Sequence, residues 1–163
     1  LNRRAAKEDV NALIVQSSCA FFPLSFLLLD IDFFKNINDS FGHKVGDRVL
    51  INLSKVILGQ VRETDVVARW GGEEFLIVLY QATFESIKCF SERLHSAIST
   101  ILLPDGRPIT VSIGGSVLDK NGLAQSDVIA SQLLKADKAL YSAKQNQKGH
   151  TRIMDESGEF IVV

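Results

Sequence analysis

Hydrophobic and polar positions follow two alternating periods along this 163-residue chain. Residues 3–18 read as a helix. Residues 24–31, LSFLLLDI, form a continuous apolar run, the pattern of a buried strand. DFFKNINDSFGHKVGD follows, with short helical pieces punctuated by glycine. Val45, Val49, Leu53, Val56 and Gln60 then recur at helical spacing, and Leu50 and Ile57 widen the apolar face. DVVARW and EEFLIVLY read as two strands joined at Gly71-Gly72, a hairpin signal. Phe84, Ile87, Leu94, Ile98 and Ile101 predict a further amphipathic helix, and Pro104, Gly106 and Pro108 a loop. ITVSIGGSVL predicts a strand with a bulge at Gly114-Gly115. Ile129, Leu133, Ala136, Leu140 and Ala143 mark the last long helix, and TRIMDE a final edge strand.

Helices interleaved with a hairpin predict an α+β fold, a mixed sheet with helices packed on it. The order β-α-β-β-α-β within it is the ferredoxin-like pattern. Length predicts one domain over residues 1–163. Such a fold leaves function open, so function has to be argued from particular side chains.

Composition narrows the classes. Apolar residues are 46% and charged residues 23%, which suits a globular chain with its own core. A net charge of −1, with Lys and Arg spread along the chain, argues against a nucleic-acid surface and gives no reason to propose an anionic membrane. Cys19 and Cys89 lie in apolar stretches without metal-like spacing, so they are expected to be reduced core thiols of a cytosolic domain. The longest apolar run, CAFFPLSFLLL, is broken by Pro23 and is too short to span a bilayer. No signal peptide is evident, and the helix-like start without Met suggests a piece of a longer protein.

Two places carry unexpected charge. Asp30 ends an otherwise apolar strand, where a bare carboxylate is costly to bury. It is a strand-end solubilising group, a helix cap for DFFKNI, or a metal ligand. Glu73 and Glu74 stand at the root of EEFLIVLY, directly after two glycines that let the chain turn and let a ligand approach. They either deter aggregation at an edge or, with Asp30 on a neighbouring strand, build an oxygen-rich site for Mg²⁺ with room for substrate phosphates. The glycine-rich phosphate loops G-x-x-x-x-G-K-[ST] and G-x-G-x-x-G are missing, and the Asp30 segment does not fit a calcium loop. His43, His95 and His150 show no ligand spacing and read as structural or exposed.

The pieces LNRR, LLDIDFFKNINDSFGHKVGD, RETD, ARWGGEEF, ITVSIGG and ADKALYSAK resemble, in order and spacing, the GGDEF domain of diguanylate cyclases. They cover nearly the whole chain. The resemblance implies a fold like the palm of nucleotidyl cyclases and polymerases. It implies condensation of two GTP into cyclic di-GMP with Mg²⁺ or Mn²⁺, in the cytoplasm or the cytoplasmic part of a membrane-anchored protein. By position, Asp30, Glu73 and the carbonyl of Ile31 resemble the metal ligands. Asn38 and Asp47 resemble the pair that reads the guanine edge. Gly71 and Gly72 belong to the nucleotide-binding signature, and Lys35, Lys144 and Lys148 resemble groups near the phosphates. Lys144 and Lys148 are i, i+4 and share a face if the helix persists. Glu74 is the candidate for orienting or deprotonating the attacking 3′-hydroxyl. Arg62 and Asp65 match an RxxD product-inhibition motif, and Arg93 resembles a second arginine bridging domains around the product. One nucleotide site per domain and two nucleotides per product imply a homodimer, under control of an N-terminal sensor.

Some positions depart from the family. Glu73 stands where the signature usually has Asp, which keeps a carboxylate. Lys148 stands for an arginine and forfeits its planar fork. Gly115 stands where an apolar residue is usual. A non-catalytic cyclic di-GMP receptor is the alternative function, and the presence of Asp30, Glu73 and Glu74 argues against it.

Overall fold

A computed structural model describes residues 1–20, 22–118, 127–146, 148–155 and 157–163. Its elements run α1 (Arg3–Ala20), β1 (Leu24–Ile31), α2 (Phe34–Phe41), α3 (His43–Gln60), β2 (Val66–Arg69), β3 (Glu74–Tyr80), α4 (Phe84–Ile98), β4 (Val111–Leu118), α5 (Val128–Asn146), β5 (Thr151–Met154) and β6 (Phe160–Val162). The strands form one sheet in the order β2-β3-β1-β4-β5-β6. In its first four strands each neighbouring pair is antiparallel, in the ferredoxin-like order. β5 adds parallel to β4, and β6 antiparallel to β5.

Strand alternation explains why β1 reads as a solid apolar run. Leu27, Leu29 and Ile31 join Phe75, Ile77 and Ile113 on one face, under Ile37, Leu53, Ile57, Ile87, Phe90 and Leu94 of α2, α3 and α4. Leu24, Phe26 and Leu28 join Leu76 and Val78 on the other, under Ala6 and Val10 of α1 and Ala136 and Leu140 of α5. Both faces of the sheet are therefore covered, and no polar position is tolerated in the middle of the strand.

Four expectations are corrected. No bulge exists at Gly114-Gly115, because β4 pairs residue for residue with β1 on one side and β5 on the other. The first glycine instead admits α5: a Cβ on Gly114 would meet backbone atoms of Ala136 and Leu140, with Leu140 Cα at 2.6 Å. TRIMDE is not the edge, since β6 pairs outside β5. Glu156 at its end lies outside the described residues. β6 was unforeseen because three residues carry too little periodicity. Cys19 and Cys89 are exposed rather than core thiols, on solvent-facing positions of α1 and α4. Finally, α5 ends at Asn146, so Lys144 and Lys148 do not share a helix face. Among the described residues no helix is long and apolar enough to cross a membrane.

Candidate active site

The hairpin and β1 bring the carboxylates together. In the β1–β3 ladder Asp30 stands directly opposite Glu74. Cross-strand partners on one face lie within contact range, so two like charges meet here. Asp30 is 7% exposed. Its charge is met by Lys144 from the last turn of α5, whose Nζ lies 2.8 Å from Asp30 Oδ2. The Glu74 carboxyl is pushed up, by its burial first and by Asp30 next. Lys144 counters this, while Asp137 and Glu73 add to it. The site thus holds more carboxylates than cations.

Asp137 was not singled out from the sequence. It precedes Lys144 by seven positions, close to two full helical turns, and so belongs to the same side of α5. That spacing was the available signal. Glu74 and Asp137 together line two hollows, of about 510 and 540 Å³, on the α5 side of the hairpin.

The connection between β2 and β3 runs from Trp70 to Glu73, so Glu73 belongs to the turn rather than to the strand. The turn is closed by the Trp70 N–H, which donates to the Glu74 carbonyl at 2.8 Å. Arg69 donates from Nε (3.1 Å) and its terminal nitrogen (2.6 Å) to the Gly72 carbonyl. Neither hairpin glycine takes a positive φ. A Cβ on Gly71 would lie 2.5 Å from Glu74 Oε2, so a larger residue there would displace the Glu74 carboxylate. Gly72 faces open space, which leaves its backbone accessible to a ligand. Ile31, the last residue of β1, pairs with Val111.

Asn38 lies on α2 and Asp47 on α3, joined through Gly42 at φ +83°. The Asn38 side chain packs on Gly46, where any Cβ would collide with its Oδ1. The two residues assigned to guanine are therefore neighbours across the helix junction. Asp47 is exposed and opens onto a groove of about 580 Å³ with Leu50, Arg69 and Phe75. Lys35, on α2, is exposed. Lys148 lies beyond α5, with Nζ 3.7 Å from the centre of the Phe33 ring. That partnership was not expected.

The predicted inhibitory residues form a separate cluster. Arg62, Asp65 and Arg93 line a hollow of about 400 Å³ with Tyr80, Glu85 and Phe90. Asp65 accepts from the Arg62 N–H (2.8 Å) and the Tyr80 N–H (2.9 Å), which fixes its carboxylate at the base of the hairpin. Arg93 donates to the Gln60 side-chain and backbone oxygens, both at 2.9 Å.

The sequence profile described as diguanylate cyclase, GGDEF domain, matches residues 1–150. The chain belongs to this family. Diguanylate cyclase A of Treponema denticola is 40% identical over 131 residues, 80% of this chain and 34% of that protein. The chain thus spans about a third of that relative's length. Among solved structures, the active GGEEF domain of a diguanylate cyclase from Vibrio cholerae superposes with a TM-score of 0.85 at 33% identity, over 93% of this chain and 96% of that one. The GGDEF domain of DgcB from Caulobacter crescentus, in complex with c-di-GMP, superposes with a TM-score of 0.83 at 25% identity, over 93% and 87%. The superposition on these GGDEF domains accords with the α+β expectation.

Proposed function

We propose that this GGDEF domain is a diguanylate cyclase that condenses two GTP into cyclic di-GMP and two pyrophosphates. The observation that carries the reading is the meeting of Asp30, Glu74 and Lys144 at the root of the GGEEF hairpin. In each of two condensations, a ribose 3′-hydroxyl attacks the α-phosphate of the other GTP and pyrophosphate leaves. Glu74, held partly out of water and beside Asp30, has a raised proton affinity suited to taking the hydroxyl proton. Lys144 has the charge to hold triphosphate oxygens, and Lys35 and Lys148 add to it. Asn38 and Asp47 read the guanine edge: a carboxylate accepts from N1–H and the amino group, while the amide donates to an acceptor on the base.

No three His, Cys, Asp or Glu side chains cluster as a ready metal cage among the described residues. Mg²⁺ typically takes only one or two carboxylates and completes its shell with water and substrate phosphates. The hard oxygen donors and the excess of carboxylates fit such an ion, so Asp30, Glu73 and the Ile31 carbonyl would hold Mg²⁺ or Mn²⁺. When bound, the ion neutralises triphosphate charge and favours ionisation of the hydroxyl.

Because one domain offers one nucleotide site, turnover needs two copies facing each other with antiparallel GTP. The Arg62–Asp65–Arg93 hollow would take the product and restrain the hairpin. The relatives' greater length is consistent with an output domain governed by an N-terminal sensor. The test is incubation of the purified domain with GTP and Mg²⁺. Cyclic di-GMP should form, at a rate rising faster than linearly with protein. Asp30→Asn and Glu73→Gln should each abolish it with the circular dichroism unchanged. Near-parental turnover in both folded variants would refute the assignment.

A further inference from the structure

Asp32 is a buried carboxylate that the proposed reaction does not use. It is 4% exposed and makes no ion pair among the described residues. A carboxylate so placed needs strong donors. Two hydroxyls supply them: Thr110 Oγ1 donates to Asp32 Oδ2 at 2.8 Å, and Ser112 Oγ donates to Oδ1 at 2.7 Å. The Asp32 N–H also donates to the Thr110 carbonyl at 2.9 Å. With its proton directed at Asp32, the Ser112 hydroxyl turns a lone pair outward, where the Gly149 N–H meets it at 3.4 Å. Beside this contact the Ile113 N–H donates to the His150 carbonyl at 3.0 Å. The backbone after α5 is thereby fastened to β4 at two successive residues, with Gly149 at φ +81°.

Lys148 is the residue directly before this anchor. Its ammonium rests on the ring of Phe33, the residue directly after Asp32. The Asp32-Phe33 pair therefore holds Lys148 twice, through the backbone behind it and through the aromatic face in front. A lysine is a flexible point charge, and prior fixing of its backbone reduces what must be ordered when an anion binds.

We propose that Asp32 is a positioning residue for the nucleotide triphosphate: through Ser112 and Gly149 it sets the backbone that carries Lys148, while Asp30 engages Lys144 directly. The proposal rests on Lys148 contacting the phosphates of GTP. It is tested by calorimetric titration of GTP with Ca²⁺, which reads binding without turnover. Ser112→Ala removes the link and keeps the Thr110–Asp32 bond. Asp32→Asn keeps the shape but leaves a single, uncharged acceptor oxygen for the two hydroxyls. Each should weaken GTP about three- to tenfold, the worth of one ordinary hydrogen bond. In a Lys148→Ala background neither should cause any further loss, an outcome that general destabilisation would not produce. Equal losses with and without Lys148, or no loss in the parent, would overturn the proposal. So would failure of both variants to fold, since Asp32 would then serve stability alone. If Lys148→Ala leaves GTP affinity unchanged, the proposal falls while the cyclase reading stands. If the parent makes no cyclic di-GMP yet the losses still depend on Lys148, the cyclase reading falls and this one stands.

Discussion

Gly114→Ala should be among the most damaging single-methyl additions to the sheet. The added carbon would sit 2.6 Å from Leu140 Cα, and nearer still to Leu140 N and Ala136 O. Ordinary carbon contacts begin near 3.5 Å. The neighbours are backbone atoms in the middle of α5, so the helix must lift by roughly 1 Å or more, since no side chain can rotate away. Overpacking of this kind costs about 1–3 kcal/mol, and with backbone as the obstacle the upper end, about 3 kcal/mol, is expected. With about 2 cal/mol/K of unfolding entropy per residue, 163 residues give about 0.34 kcal/mol/K, so Tm should fall by about 9 °C. Two controls bracket the result. At Gly115 the Cβ would lie 2.8 Å from Leu27 Cδ2, the movable end of a side chain, so Gly115→Ala should lose no more than about 1 kcal/mol. At Gly59, near the end of α3, nothing lies within 4 Å, and Gly59→Ala should gain up to about 1 kcal/mol. Differential scanning calorimetry of the three variants measures all of this. Because α5 carries Lys144 to Asp30, the folded fraction of Gly114→Ala should also bind GTP more weakly. A Tm for Gly114→Ala within about 2 °C of the parent, or equal to that of Gly115→Ala, would refute the packing argument.

Further outcomes concern pH and feedback. The His95 imidazole is held below its ordinary value, by burial first and by His150 next, with Asp32 opposing; its ring bonds Thr151 Oγ1 at 2.9 Å. The unfolded chain therefore takes up the proton first, so stability is full above about pH 6.5 and declines as pH falls through that value toward the folded pKa, by at most about 1.4 kcal/mol per pH unit. Urea unfolding of the parent and of His95→Gln between pH 7.5 and 5.5 should show a shallower decline in the variant, and identical slopes would dismiss His95 as the source. Arg62→Ala should keep its basal rate yet lose inhibition by added cyclic di-GMP, noncompetitive with GTP in the parent; superimposable inhibition curves would exclude the Arg62 hollow as the brake.

Much of this protein was legible in order along the chain. An apolar run like LSFLLLDI has few alternatives to a strand covered on both faces, and the helical periods after it left their apolar stripes one obvious use. The ordered motifs likewise pointed to the GGDEF family, which the sequence profile matches over residues 1–150. Periodicity, however, says which face a residue takes and not which element lies opposite. That Asp30 stands across from Glu74, and that Lys144 reaches Asp30, follows from β3 pairing beside β1 and α5 packing over β4 and β1. The same limit explains the errors. A glycine in a strand marks either a bulge or a close approach, and only the presence of α5 against Gly114 decides between them. TRIMDE resembled an edge until β6 paired outside it. Asp32 gave no local sign of its partners, since Thr110, just before β4, and Ser112, on β4, are remote in sequence and only the folded sheet places them beside it.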